Sequence, residues 1–297
     1  MNNVLRTTVA NSLKLTYSLI IASALINNAF ADPEEATRFD EYGRLVEYPN
    51  KIEVTCPIQN EKTAVLFVIG QSNAANNAEK KFSTYYPTRV VNYFNGKCFV
   101  ASSPFLGATG DEGEFITPLA DQLINSGYYE FVVIIDAAIG GSTIKRWLPG
   151  MELNKMMLSV MADVALNYKI TAVIWHQGEA DFQERVESDV YRKRFHSLVE
   201  SIRSNTSYDL PVYYAIATKC GEHNGWTEDN TVADAQRSLT NAKNHIYLGA
   251  NTDHLLLKQD RRSDQCHLSR AGQLKAANAF ANAILEHMNL HSLKTKS

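Results

Sequence analysis

The stretch VLFVIGQSNAANNAE, residues 65–79, poses the question that decides the fold. Its apolar first half has the length and β-branched content of a strand buried on both faces. It stops at Gly70-Gln71-Ser72-Asn73, where a glycine permits a sharp turn and a serine could cap a helix that begins there. Strand, turn and helix in that order make one unit of a parallel α/β sheet. Ser72 then has two readings: a helix cap, or a nucleophile presented at the mouth of the sheet. In the second case the free N–H groups of a helix start would stabilise developing negative charge.

Further along, hydrophobic runs at 131–136 (FVVIID), 172–175 (AVIW) and 212–217 (VYYAIA) predict three more buried strands, and 246–248 is a shorter candidate. Between them, apolar residues recur at helical spacing over 117–126, 151–167, 188–204 and 231–243. A last helix can be capped by Ser269, with Leu274, Ala277, Phe280, Ala281, Ile284, Leu285 and Met288 on one apolar face. Alternating elements with fully apolar strands predict a three-layer α/β/α sandwich around a mainly parallel sheet. No repeat or linker interrupts it. Such sheets bind ligands beyond the carboxyl ends of their strands, so the residues after each strand are the candidates for chemistry.

The chain of 297 residues is 45% hydrophobic and 21% charged, ordinary for a globular protein. Its first 31 residues differ: Arg6 and Lys14 precede the apolar run 15–26, and Ala29-Phe30-Ala31 follows. That is the layout of a signal peptide cleaved after Ala31, leaving residues 32–297 as a single exported domain. The apolar run is shorter than the roughly 20 residues a membrane span needs. Loss of Arg6 and Lys14 changes the formal charge from −3 to −5, and with no basic block the chain is no nucleic-acid binder. Once the leader is removed, no membrane partner is expected. Cys56, Cys98, Cys220 and Cys266 make an even set that suits two disulfides in an oxidising compartment. Four cysteines allow three pairings; their positions favour Cys56–Cys98 and Cys220–Cys266.

Four motifs stand at or near the strand ends: GQSN (70–73), IGGST (139–143), WHQGEAD (175–181) and, before the final helix, DQCH (264–267). A serine needs a base to become a nucleophile. His267 is the candidate, with Asp264 three residues earlier able to fold back on the imidazole and set its tautomer. His254 beside Asp253 competes with it. Gly141 can bring a bare N–H close to a substrate oxygen, and Gln177 carries an amide donor of the kind found in oxyanion holes. Each motif alone is as readily a turn, a cap or a buried amide. Four in succession at the strand ends favour catalysis. Glu179 and Asp181 are expected to turn away from an oxyanion and hold the loop by hydrogen bonds, to Asn73 or nearby backbone. A carboxylate pair for glycoside hydrolysis and a metal site on Glu179, Asp181 and Asp253 are weaker readings.

With these motifs in this order, the chain resembles the SGNH hydrolases, and among them the sialate O-acetylesterase-like branch of carbohydrate esterases, over roughly residues 63–288. The resemblance implies a flavodoxin-like sandwich and a Ser72, Asp264, His267 triad. It implies an oxyanion hole from Ser72 N–H, Gly141 N–H and the Gln177 amide, with no cofactor. It also implies an acetylated carbohydrate as substrate. Ala74 stands where that family's serine motif often has methionine. The alternatives are a secreted short-chain or lipase-like esterase of non-sugar esters, or a carbohydrate-binding protein without turnover. Trp147 and Trp226 are candidate sugar-stacking platforms or core residues, and Asn205-Thr206-Ser207 is a glycosylation sequon where the host glycosylates its exports.

Overall fold

The computed structural model describes residues 38–206, 208–221 and 230–294, the last six without their side chains. Backbone contacts divide the chain into Met1–Arg38 and Phe39–Ser297; the architecture below is that of the second unit. The expected signal peptide, Trp226 and Ser207 of the sequon lie outside the described residues.

The strands are β1 (Glu53–Val54), β2 (Thr63–Gly70), β3 (Val90–Phe94), β4 (Lys97–Val100), β5 (Phe131–Asp136), β6 (Ala172–His176), β7 (Val212–Ile216) and β8 (Ile246–Asn251). They form one sheet in the order β1-β4-β3-β5-β2-β6-β7-β8. From β3 to β8 every pairing is parallel, while β4 runs antiparallel to β3 and β1 antiparallel to β4. The helices are α1 (Ile116–Asn125), α2 (Glu152–Val164), α3 (Glu179–Gln183), α4 (Ser188–Ser204), α5 (Thr231–Arg237), α6 (Thr252–Leu255) and α7 (Arg270–Lys294).

Period-two alternation splits the strand side chains between two cores. Val65, Phe67, Ile69, Val133, Val173, Trp175 and Tyr214 face α2, α4 and α5. Leu66, Val68, Val132, Ile134, Ile174 and Tyr213 face α1 and α7. The sandwich therefore has three layers, and β2, flanked by β5 and β6, is buried along its whole length. The chain leaves β2 for β3 and β5 on one side, then crosses back to β6 on the other. That reversal opens a crevice beyond β2, the usual ligand position in an open parallel sheet.

Four expectations need correction. No helix follows Ser72: Ala74 and Ala75 donate to Gln71 O, completing a single turn. Asn76 then leaves the helical path because its N–H goes to Thr109 O and its side chain bonds both Phe105 N–H and Phe105 O. The long segment before α1 contains the β3–β4 hairpin, absent from the predicted strands. Asn95 and Gly96, with φ 48° and 76°, form its two-residue turn, and an Asn-Gly pair between apolar runs is the signal that marks it. On α7, Leu274 is exposed, whereas Ala276, Ala277, Phe280, Ala281 and Ile284 are buried. Gln273 is buried beside them because its amide bonds the backbone of Lys80 and Glu114. The predicted helix over 231–243 ends at Arg237.

Phe280 seats α7 on the sheet and stacks on Phe115 at 5.4 Å between ring centroids. Phe280→Ala should lower the unfolding free energy by about 3–5 kcal/mol, read as a shift in the urea midpoint at unchanged slope. A loss below about 1 kcal/mol, the scale of a surface substitution, would mean that α7 is not anchored there.

Candidate active site

Gly70 answers the question the opening stretch posed. Its φ is 136°, and a Cβ there would stand 2.1 Å from the carbonyl oxygen of His176. Only glycine lets β2 end against β6 and turn at once, with Gln71 N–H bonded to His176 O. Ser72 sits on that turn, 8% exposed. Its N–H has no acceptor among the described residues, and its Oγ makes no hydrogen bond to His267 or to any other of them.

The loop after β5 lies alongside. Gly140 N–H is taken by Thr109 Oγ1 at 2.7 Å, whereas Gly141 N–H has no partner among the described residues. Gly141 takes φ 65° and nothing lies within 4 Å of where a Cβ would be. Its left-handed backbone, rather than crowding by the protein, is what calls for glycine. Two open N–H groups, Ser72 and Gly141, thus flank the serine.

Gln177 does not supply the open donor expected of it. It is fully buried, and its Nε2 faces Asp181 Oδ2 at 2.6 Å, Ser142 O at 3.1 Å and Gln71 Oε1 at 3.3 Å. Its Oε1 accepts from Tyr191 Oη, which fixes the amide orientation. Two amide hydrogens facing three acceptors leave none for a substrate. Gln177 instead braces the Gly141 loop by holding Ser142 O. Asp181 helps it by accepting Ile144 N–H at 2.7 Å and pairing with Arg194 at 3.6 Å. Trp147 is core rather than a sugar platform: it is fully buried, meets Trp175 edge-on and donates to Ser142 Oγ.

Asp264 and His267 are joined, His267 Nδ1 to Asp264 Oδ2 at 2.7 Å. Gln265 takes a left-handed φ of 57°, and Asp264 Oδ1 accepts the N–H groups of both Cys266 and His267. Partial burial raises the Asp264 pKa, but the hydrogen bonds from His267 and the two amides outweigh it and hold the carboxyl below its usual range. The disulfide Cys220–Cys266 ties this loop to the segment after β7, and Cys56–Cys98 joins the lead-in to β4; both are the expected pairings. His254 is exposed, and Asp253 turns from it to bond Thr218 and Lys219.

One amide brings the serine turn and the histidine loop together. Asn73 Nδ2 donates to Glu179 Oε1 at 2.9 Å and to Cys266 O at 3.2 Å. Glu179 is fully buried, and desolvation pushes its pKa up to about 7, against the lowering effects of the Asn73 hydrogen bond and the Arg261 charge. Burial drives the His176 imidazole down to about 3, so the 3.9 Å contact from its Nδ1 to Glu179 is not an ion pair. Glu179, Asp181 and Asp253 thus face three separate sets of partners, and no group of three or more metal-ligating side chains occurs among the described residues.

A doubly flanked parallel sheet with these strand-end loops at its switch point defines a hydrolase fold of the SGNH type. The chain belongs to the carbohydrate esterase family described as sialic acid-specific acetylesterase, whose model matches residues 62–286. A probable carbohydrate esterase of Arabidopsis thaliana is 24% identical over 155 residues, 52% of this chain and 55% of that protein. The chain thus spans about half the length of the curated relative it matches. Among solved structures, an Arabidopsis thaliana protein aligns with TM-score 0.59 at 17% identity, covering 76% of this chain and 99% of its own. NanS aligns with TM-score 0.55 at 17% identity, covering 78% and 99%. At these identities the structural matches establish the fold.

The raised Glu179 pKa has a consequence for stability. A carboxyl that titrates higher folded than unfolded holds more protons in the folded state between the two values. Its contribution is therefore complete below about 4.5 and is lost as pH rises through about 7. Glu179→Gln keeps a neutral amide oxygen for Asn73 and removes the titration. The wild-type unfolding free energy should therefore fall relative to the variant's as pH rises across that window. Urea titrations at several pH values check this, and a constant difference would place the Glu179 pKa at its ordinary value.

Proposed function

We propose that the chain is an exported serine esterase that hydrolyses O-acetyl esters on a carbohydrate. His267 Nε2 accepts the Ser72 proton as Ser72 Oγ attacks the ester carbonyl, and the negative charge gathers on the carbonyl oxygen. Ser72 N–H and Gly141 N–H stabilise that oxyanion. The imidazolium, steadied by Asp264, passes its proton to the departing sugar oxygen as the C–O bond breaks. A water deprotonated by His267 then attacks the acetyl-serine, acetate leaves, and the imidazolium returns the proton to Ser72 Oγ. The chemistry requires no cofactor.

The observation that carries this reading is the Asp264–His267 pair at 2.7 Å on a loop docked against the Ser72 turn through Asn73. The open Ser72 Oγ–His267 link is compatible with it, since catalytic hydrogen bonds in unliganded enzymes are often long and tighten on substrate binding. A carbohydrate substrate is supported by the family, whose model matches residues 62–286. Export is supported by the leader pattern and by two disulfides, which persist in oxidising compartments.

Ser72→Ala should reduce acetate release from an O-acetylated sugar by roughly 10⁴-fold or more with the fold intact, and His267→Ala should be similarly impaired. Ser72→Ala activity within about tenfold of wild type would remove the triad from the mechanism. A chain that binds acetylated glycan but releases no acetate would be a binding protein.

Acyl length separates the acetyl reading from a lipase-like one. A pocket closed around one methyl meets each added methylene with overpacking of about 1–3 kcal/mol, or roughly 5- to 150-fold in rate. An open apolar groove gains up to about 0.8 kcal/mol per methylene. Rates on aryl esters should fall from acetate to butyrate to octanoate; a rise would replace the carbohydrate assignment with a lipase-like esterase.

A further inference from the structure

Gln71, between the β2 glycine and the nucleophile, has an amide held by one end only. Its Oε1 accepts from Gln177 Nε2 at 3.3 Å, Ala180 N–H at 3.2 Å and Gly178 N–H at 3.4 Å. Three donors converging on one atom leave no choice of amide orientation: the oxygen faces the β6 loop and Nε2 faces the other way. That nitrogen has no acceptor among the described residues, yet it is not one of their sealed, unpartnered atoms. Gln71 as a whole is 3% exposed, so what remains open on it is small, and the free end of the amide belongs to it.

We propose that Gln71 Nε2 is the side-chain donor of the oxyanion hole, completing the set begun by Ser72 N–H and Gly141 N–H. Its ligand is the carbonyl oxygen of the scissile ester, as that oxygen becomes negative. This rests on the serine-esterase reading above. The need for such a donor is concrete, because the residue the motif pointed to, Gln177, has spent its hydrogens on Asp181, Ser142 and Gln71 itself. The two glutamines act in series: Gln177 is braced by Asp181, it orients Gln71, and Gln71 turns its other end to the substrate. A buried oxygen with three donors also restrains χ rotation, so the donor is preorganised before charge develops, which is where oxyanion holes gain their effect. Gln177 is then a positioning residue and Gln71 a catalytic one.

Gln71→Glu separates the two ends of the amide. It keeps an oxygen for the three β6-loop donors and replaces the N–H₂ end with a second oxygen that cannot stabilise an oxyanion when ionised. On an acetate ester near neutral pH, kcat should fall by roughly 10²–10³-fold with KM changed little, the signature of a bond made in the transition state. A kcat within about threefold of wild type, or a change confined to KM, would overturn the assignment. Ser72→Ala in the same assay distinguishes the levels: if it retains activity, the serine-esterase reading fails and this inference with it. If only Gln71→Glu retains kcat, this inference alone fails. Should Gln71→Glu not fold, wild-type enzyme carrying a methylphosphonate on Ser72 decides. The Gln71 side-chain amide proton resonance should move downfield on adduct formation, and an unmoved resonance overturns the proposal.

Discussion

A single buried amide carries the geometry of the site. Asn73 Nδ2 spans Glu179 Oε1 and Cys266 O, and so links the turn after β2, the loop after β6 and the loop before α7. These three segments are far apart in sequence and meet only beyond the carboxyl ends of the parallel strands. A neutral pair in such a bond contributes about 0.5–1.5 kcal/mol, but leaving one partner buried and unpaired costs about 1–3 kcal/mol. Once the sheet has formed, that asymmetry favours the docked arrangement. Burial also explains why Glu179 titrates so high: desolvation outweighs the Asn73 hydrogen bond and the Arg261 charge.

Around that amide the polar groups divide into those that are satisfied and those left open. Asp181, Gln177, Tyr191 and Gln236 are fully buried and joined by hydrogen bonds, and with Trp147, which donates to Ser142 Oγ, they hold the loop 139–144. Ser72 N–H, Gly141 N–H and Ser72 Oγ, by contrast, have no protein partner among the described residues. Nearly every polar group in a folded interior is paired, so three open groups clustered on adjacent loops stand out against the hydrogen-bonded network behind them, in which Asp181 Oδ1 has no hydrogen-bond partner among the described residues. The rigidity of that network allows the open groups to keep their positions without a ligand.

The histidine loop is secured by other means. A disulfide to the segment after β7, an aspartate turn with a left-handed Gln265, and the Asn73 bond each act on residues 264–267. None of them fixes the imidazole to the serine, and the His267 side chain keeps a quarter of its surface open. Asp264 and His267 are therefore preassembled as a pair.

Much of this was legible in the residues alone. Fully apolar strands alternating with helical spacing determined the parallel sandwich, because burial on both sheet faces admits little else. The four strand-end motifs located the loops that meet, and Asp264 and His267 lie within one turn of each other, so their contact is local. What the sequence could not determine was which amide hydrogens would be free. Gln71 and Gln177 carry the same group, and only the tertiary arrangement, which packs Asp181 and Ser142 O against one and leaves the other open, separates a brace from a donor. The same holds for Ser72, whose helix cap is suggested by GQSN. Asn76 bonds a backbone some thirty residues away, and that long-range capture, invisible in local pattern, leaves a single turn where a helix was expected.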